Sequence, residues 1–278
     1  MKSNSNAKLF IWTELRSRST VLLRCLSNTK NVVAFFEPCN YVALSGPSEE
    51  RLTEVRINWK IIKEYPSWTR AHVKELIEFH HKQSHVVVKD FADGLGTNFN
   101  WIPKDASNII LIRHPAKCVD SILKMTDDDV GFNARVECLK ARMHDTDHAH
   151  KGMLQLYEFL KENNRPVAVV DSNDLSLNSN EVVKFICEFS GLPFTEDMLH
   201  WKSLQADTLP ENWIVPGGFE DLRVIYNPCR IASISTNFKF TKDPNDFDVK
   251  HLHPIALEYV KENLPAYEAL LKCKHTEY

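Results

Sequence analysis

Five short apolar runs set the limits on what this chain can fold into: Lys8 to Thr13 (KLFIWT), Asn31 to Phe36 (NVVAFF), Val86 to Lys89 (VVVK), Asn108 to Ile112 (NIILI) and Val167 to Val170 (VAVV). None alternates strictly between apolar and polar, which is the signature of strands covered on both faces. Helical patterns separate them. Thr20 to Leu26 follows the first run, and Ser67 to Gln83 carries Val73, Leu76, Ile77 and His80 at three-and-four spacing. Ala116 to Met125 follows Pro115, and Asn133 to Leu160 reads as a long helix broken near Gly152. Asn180 to Ser190 ends at Gly191 with Pro193 beyond, and His253 to Lys272 is interrupted at Pro265. Strands alternating with helices predict an α/β fold: a three-layer, P-loop-like domain with a central, mostly parallel sheet of about five strands flanked by helices. The pattern predicts a single domain over residues 1–278. Pro38 to Pro66 and Leu204 to Asp248 show no clear periodicity, and irregular stretches of that length are either surface excursions or lids and binding loops.

Composition narrows the function classes. The net charge is −3, so no global basic field draws in nucleic acid, and any anion site must be local. No stretch approaches the ~18 apolar residues of a membrane span, and the opening MKSNSNAK lacks a signal-peptide core. The seven cysteines are scattered singly with no C-x-x-C pair, which fits reduced thiols in the cytoplasm. Neither a nucleic acid nor a membrane is an expected partner.

The turn after the first strand, Trp12 to Thr20, packs two arginines and three hydroxyls (Arg16, Ser17, Arg18, Ser19 and Thr20) into five residues. In a doubly wound sheet such a turn lies at the carboxyl end of a strand, where ligands bind. The helix it opens exposes unpaired N–H groups that favour phosphate-like anions, and arginine adds a planar fork of donors. Aligned on G-x-x-x-x-G-K-[ST], Trp12 and Ser17 replace both glycines and Arg18 replaces the lysine, so an ATP-binding loop is disfavoured. A second arginine, Arg113, follows the fourth strand, with Pro115 suited to the first turn of the next helix and Ser121 eight positions on. Two anion sites at two strand ends imply a ligand with two separated phosphate-like groups. On spacing alone, Arg113 also reads as a surface ion-pair partner.

These residues resemble the 3′-phosphoadenosine 5′-phosphosulfate (PAPS)-dependent sulfotransferase family. TELRSRST (Thr13 to Thr20) is similar to the 5′-phosphosulfate loop of the divergent branch that carries Arg-Ser-Arg-Ser-Thr. LIRHPAKCVDS (Leu111 to Ser121) is similar to the 3′-phosphate motif. DSNDL followed by FICEFSGLP (Asp171 to Leu175, Phe185 to Pro193) resembles the family's strand-end step and helix exit. The matches span residues 9–194. Leu15 stands where the family usually has proline, and Val21 where many members have the tryptophan that stacks on adenine. The mainstream C-terminal Arg-Lys-Gly step is absent, which leaves Lys239, Lys242 or Ser235 to Phe238 as candidates at the 3′ end.

The resemblance implies transfer of a sulfuryl group from PAPS to a hydroxyl or amine of a small-molecule acceptor, with release of 3′-phosphoadenosine 5′-phosphate (PAP) and no metal. It places Arg16 at the leaving-group oxygen, the loop residues Ser17 to Thr20 on the 5′-phosphate, and Arg113 and Ser121 on the 3′-phosphate. Sulfuryl transfer, like phosphoryl transfer, is catalysed mainly by positioning and charge stabilisation. The usual V-K-x-H histidine is Phe91 here, after Val88-Lys89-Asp90, so the acceptor's base must be a carboxylate. Glu37, directly after the second strand, is the preferred candidate and Asp90 the other, with Lys89 expected near the sulfuryl oxygens. A nucleotide kinase or NTPase and an inactive nucleotide-binding relative are the alternative readings. His144-x-x-x-His148 has helical metal spacing without the H-E signature, and it and His150 read as helix-surface histidines. Cys118 reads as packing within the second motif.

Overall fold

A computed structural model describes residues 6–47, 50, 65–124, 132–143, 149–201, 209–216 and 252–278. The predicted strands form there as β1 (Lys8–Thr13), β2 (Val32–Phe36), β3 (His85–Phe91), β4 (Ser107–Ile112) and β5 (Val167–Asp171). With a sixth, β6 (Trp213–Ile214), they lie in one parallel sheet in the order β5-β4-β1-β3-β2-β6. The expected count of about five becomes six. The extra strand, β6 (Trp213–Ile214), is only two residues long and pairs with Ala34 and Phe35 of β2. Its anchors are side chains that periodicity cannot show: Trp213 stacks on Phe36 at 5.7 Å and donates from Nε1 to Ser27 Oγ at 2.8 Å.

Successive side chains of a strand point to opposite faces, and both faces here are apolar. Leu9 and Ile11 of β1 join Ile109 and Leu111 of β4 in one core, against α1 (Ser19–Leu26) and α8 (Ser179–Ser190). Phe10, Trp12, Ile110 and Ile112 join the other, against α3 (Arg70–His81), α6 (Ala149–Glu162) and α9 (Pro254–Lys272). The result is the predicted three-layer arrangement. Burial on both sides is what removes the alternation from the sequence.

Several helix boundaries differ from expectation. Helix α3 starts at Arg70 and not at Ser67: Thr69 is its N-cap, and the threonine hydroxyl accepts from the His72 N–H at 3.0 Å. Helix α4 (Pro115–Leu123) starts at its proline, capped by His114. The long stretch Asn133 to Leu160 contains α5 (Phe132–Met143) and α6 as separate helices, and Gly152 lies buried inside α6. Pro38 to Pro66 opens with an unexpected helix, α2 (Pro38–Ser45), buried on several faces and therefore without an amphipathic period. A further short helix, α7 (Ser172–Leu177), follows β5, capped by Asp171. Helix α9 runs unbroken through Pro265. Its packing on α4, α5 and α6 outweighs the one backbone hydrogen bond the proline cannot donate. His144, His148, Ser235 to Phe238, Lys239, Lys242 and most of 204–248 lie outside the described residues.

The strand order places the ligand crevice. From β1 the chain moves to one side of the sheet through β2 and β3, then crosses to the other side of β1 for β4 and β5. The carboxyl ends of β1 and β4 are therefore the topological switch point. Thr13 is in register with Leu111 there, so the loops that follow start side by side.

Candidate active site

Both arginine-bearing segments emerge at this switch point and meet. Arg16, in the turn between β1 and α1, donates from Nε to Ser121 Oγ on α4 at 3.0 Å. Arg113, directly after β4, donates from Nη1 to the backbone carbonyl of Arg16 at 2.6 Å. The residues expected at two strand ends, Arg16, Arg113 and Ser121, are thus in contact with one another. Ser17 is fully buried and shares a hydrogen bond with Thr13 Oγ1. Ser19 and Thr20 form the first turn of α1, whose N–H groups open toward the same turn.

The turn is built without glycine. Arg16 and Arg18 both take left-handed backbone conformations, with φ of 61° and 71°. That region carries a steric penalty for a side chain bearing Cβ. Arg18 is held there by its guanidinium, which donates to Ser176 Oγ on α7; Ser176 Oγ in turn donates to the carbonyl of Ser172 at 2.7 Å. Glu14 is fully buried beneath the turn and accepts a hydrogen bond from Tyr259 Oη at 3.1 Å. Leu15 packs into the small core between α4, α5 and α9. Cys118 is also fully buried; burial pushes its thiol up to about 12, against the pull of Arg113, so it is an inert packing residue.

A second cluster lies across β1, at the ends of β2 and β3. Glu37 follows β2 in a left-handed conformation (φ 51°) that turns the chain into α2. Its backbone N–H donates to the Lys89 carbonyl at 2.7 Å, and its carboxylate is ion-paired with Lys89 Nζ. Asn40 Nδ2 donates to the other Glu37 oxygen at 3.2 Å. Lys89 is almost fully buried, and its ammonium sits 4.0 Å from the Phe91 ring centroid and 5.0 Å from that of Phe36. Two aromatic faces and one carboxylate make a cation tolerable in so apolar a place. Phe91, the residue at the histidine position of the mainstream motif, thus forms part of the lysine's cage.

Asp90 is differently placed. Its carboxylate is fully buried and accepts from three backbone N–H groups: Cys39 at 2.6 Å, Asn40 at 3.1 Å and Phe91 at 2.9 Å. It ties the start of α2 to the end of β3. Burial pushes its pKa up to about 7, although those three donors pull it down. Gly94 closes the same corner: a Cβ there would stand 2.6 Å from the Asn40 nitrogen.

His150 departs from its surface reading. It is fully buried on α6, and its Nε2 lies 2.8 Å from the backbone carbonyl of Arg113. A carbonyl only accepts, so Nε2 carries the proton. With Glu14, Ser176 and Tyr259 it belongs to a shell around the arginines that motif reading missed. The available signal was a run of polar residues four apart (Tyr259, Asn263 and Tyr267) within the otherwise apolar inner face of α9. Among the described residues, no group of three or more His, Cys, Asp or Glu side chains is placed to hold a metal ion. Nor is any described helix long and apolar enough to cross a membrane.

No protein-family model matches the sequence, and no curated protein matches it. Solved structures do. The sulfotransferase domain of the Synechococcus PCC 7002 olefin synthase superposes with a TM-score of 0.51 at 15% identity, over 97% of this chain and 96% of that one. Mouse sulfotransferase SULT7A1, solved in complex with PAP, superposes with a TM-score of 0.50 at 11% identity, over 97% of this chain and 90% of that one. Identity so low speaks to architecture alone, and the chain has the fold of the sulfotransferases.

Proposed function

We propose that the protein is a PAPS-dependent sulfotransferase that moves a sulfuryl group to a hydroxyl or amine of a small-molecule acceptor and releases PAP. The observation that carries this reading is the junction of the two arginine segments at the switch point of a sulfotransferase fold, through Arg16 to Ser121 and Arg113 to the Arg16 carbonyl. A cluster of two arginines, four hydroxyls and a helix N-terminus is built for oxyanions. Without glycines, its turn does not offer the close backbone approach of an ATP loop, and this disfavours the kinase reading.

In this reading PAPS is a substrate. Its 3′-phosphate lies against Arg113 and Ser121, and its 5′-phosphate against the backbone N–H groups of Ser17, Arg18, Ser19 and Thr20 and the hydroxyls of the two serines and the threonine. Arg16 lies beside the bridging oxygen and stabilises the charge that grows there as the sulfur–oxygen bond lengthens. The acceptor proton goes to Glu37. That carboxylate is partly exposed, while both oxygens of Asp90 are taken up by backbone N–H groups. Lys89, paired with Glu37, supplies positive charge near the sulfuryl oxygens. SULT7A1, which shares the fold, was solved in complex with PAP, and that supports PAP as a ligand here.

The test is transfer of ³⁵S from labelled PAPS to a panel of alcohols and amines. Labelled product formed by the wild type and lost in Glu37→Gln supports the reading. Absence of transfer to every acceptor, together with absence of PAP binding, contradicts it.

A further inference from the structure

Three side chains of helix α9 lead to the arginine cluster. Tyr259, Asn263 and Tyr267 are spaced four residues apart, so they share one face of the helix. All three are buried, at 0%, 1% and 6% exposure. Polar groups so deeply buried are kept only where they are hydrogen-bonded. Each reaches a different strand end. Tyr259 Oη donates to Glu14 Oε1, in the turn after β1, at 3.1 Å. Asn263 Oδ1 accepts from the His150 backbone N–H at 3.3 Å, and the His150 ring donates to the Arg113 carbonyl after β4. Tyr267 Oη donates to Asp171 Oδ2, at the end of β5, at 3.4 Å. Asp171 caps α7, which carries the Ser176 that holds Arg18.

The stripe is also braced within itself. Asn263 Nδ2 donates to the Tyr259 carbonyl at 3.1 Å. The Tyr267 ring meets the His150 and His114 rings nearly edge-on, with centroids 5.8 and 5.3 Å away. One rigid element thus holds, through separate polar contacts, the segments that bear Arg16, Arg18 and Arg113.

We propose that Tyr259, Asn263 and Tyr267 are positioning residues that set the geometry of this arginine cluster, with Glu14, His150 and Asp171 as the intermediate contacts. The ligand named in the test rests on the donor-site reading above, whereas the placement of the arginines does not. A hydrogen bond to a buried charged group contributes far more than one at the surface. Preorganised donors also lose their advantage when their supports slacken.

The experiment compares Tyr259→Phe, Asn263→Leu and Tyr267→Phe with Glu258→Ala, a change on the exposed face of α9. Two readouts are taken: the Nε–Hε NMR resonances of Arg16 and Arg113 in the ligand-free protein, assigned with Arg16→Lys and Arg113→Lys, and PAP affinity by calorimetry. The expected result is that Tyr259→Phe moves the Arg16 resonance, while Asn263→Leu moves that of Arg113 and weakens PAP binding about tenfold. Glu258→Ala changes neither. His150→Gln, which keeps a donor near the ring Nε2, retains more PAP affinity than His150→Leu. Arginine resonances that stay in place overturn the proposal, whether affinity is unchanged or falls only in step with thermal stability. Should Asn263→Leu fail to fold, Tyr259→Phe carries the same decision, since it removes one oxygen and no volume elsewhere. Moved resonances in a protein whose wild type does not bind PAP would uphold the positioning role and sink the donor-site reading alone.

Discussion

Arg16 Nε and Ser121 Oγ are hydrogen-bonded at 3.0 Å although 105 residues separate them, and the bond joins the turn after β1 to the helix after β4. Arg113 reinforces the joint by donating to the Arg16 carbonyl. The site is therefore one unit, with Arg16 and Arg113 tied to each other's segments.

If Arg16 acts on charge that appears only as the leaving group departs, its loss should fall on turnover. Arg16→Ala is expected to lower kcat by about 10²–10³, with a much smaller effect on PAP affinity. Arg16→Lys keeps the charge but not the planar fork and should recover part of the rate. Steady-state kinetics beside a PAP titration separate the two effects, and an equal loss in both would assign Arg16 to ground-state binding.

The two carboxylates at the ends of β2 and β3 should behave oppositely. Glu37→Gln is expected to cost about 10²–10⁴ in transfer rate, in excess of the stability it loses by leaving the buried Lys89 without its carboxylate. Asp90→Asn is expected to act on stability, and its signature is pH. Burial raises the folded-state pKa of Asp90 to about 7, so between roughly pH 4, where an unfolded aspartate titrates, and pH 7 the folded state holds the extra proton. Its contribution is fully present below the lower of these values and is lost as pH rises through about 7. Urea denaturation of wild type and Asp90→Asn at pH 5 and pH 8 measures this: the wild type should lose more stability across the interval. Parallel pH dependences would show that Asp90 stays ionised throughout.

The left-handed conformation of Arg18 makes a prediction that its side chain does not obscure. Arg18→Gly and Arg18→Ala both lose the contact with Ser176 and differ only in backbone freedom. Glycine should be the more stable of the two by about 1 kcal/mol, a shift of roughly 2–4 °C in Tm. Equal Tm values would place the turn in an unstrained conformation.

How much of this was legible in the sequence depends on where each signal lies. β1 runs from Lys8 to Thr13 as predicted, and the helix stop at Gly191 adopts the left-handed conformation that such a stop requires (φ 78°). Both are local signals, complete within a few residues. α2 and β6 were not legible, because α2 is buried on several faces and β6 is held by Trp213 against Ser27 and Phe36. Within the site, the arginines and Ser121 stood out by residue type and motif. Their contact did not, since it depends on β1 and β4 being neighbours. His150 was misread for the same reason: its neighbours in sequence are polar, and only the packing of α6 and α9 encloses it. Asp90 stood as the second candidate base behind Glu37 because both follow strands, and the backbone N–H groups around Asp90 are what set the two apart.

The most direct test of the central claim is a calorimetric titration of the purified protein with PAP, beside ADP and ATP with magnesium, repeated on Arg113→Ala. Tight PAP binding, weak binding of ADP and ATP, and loss of most PAP affinity in the variant are expected. Preference for ATP, or PAP affinity that survives Arg113→Ala unchanged, would contradict it.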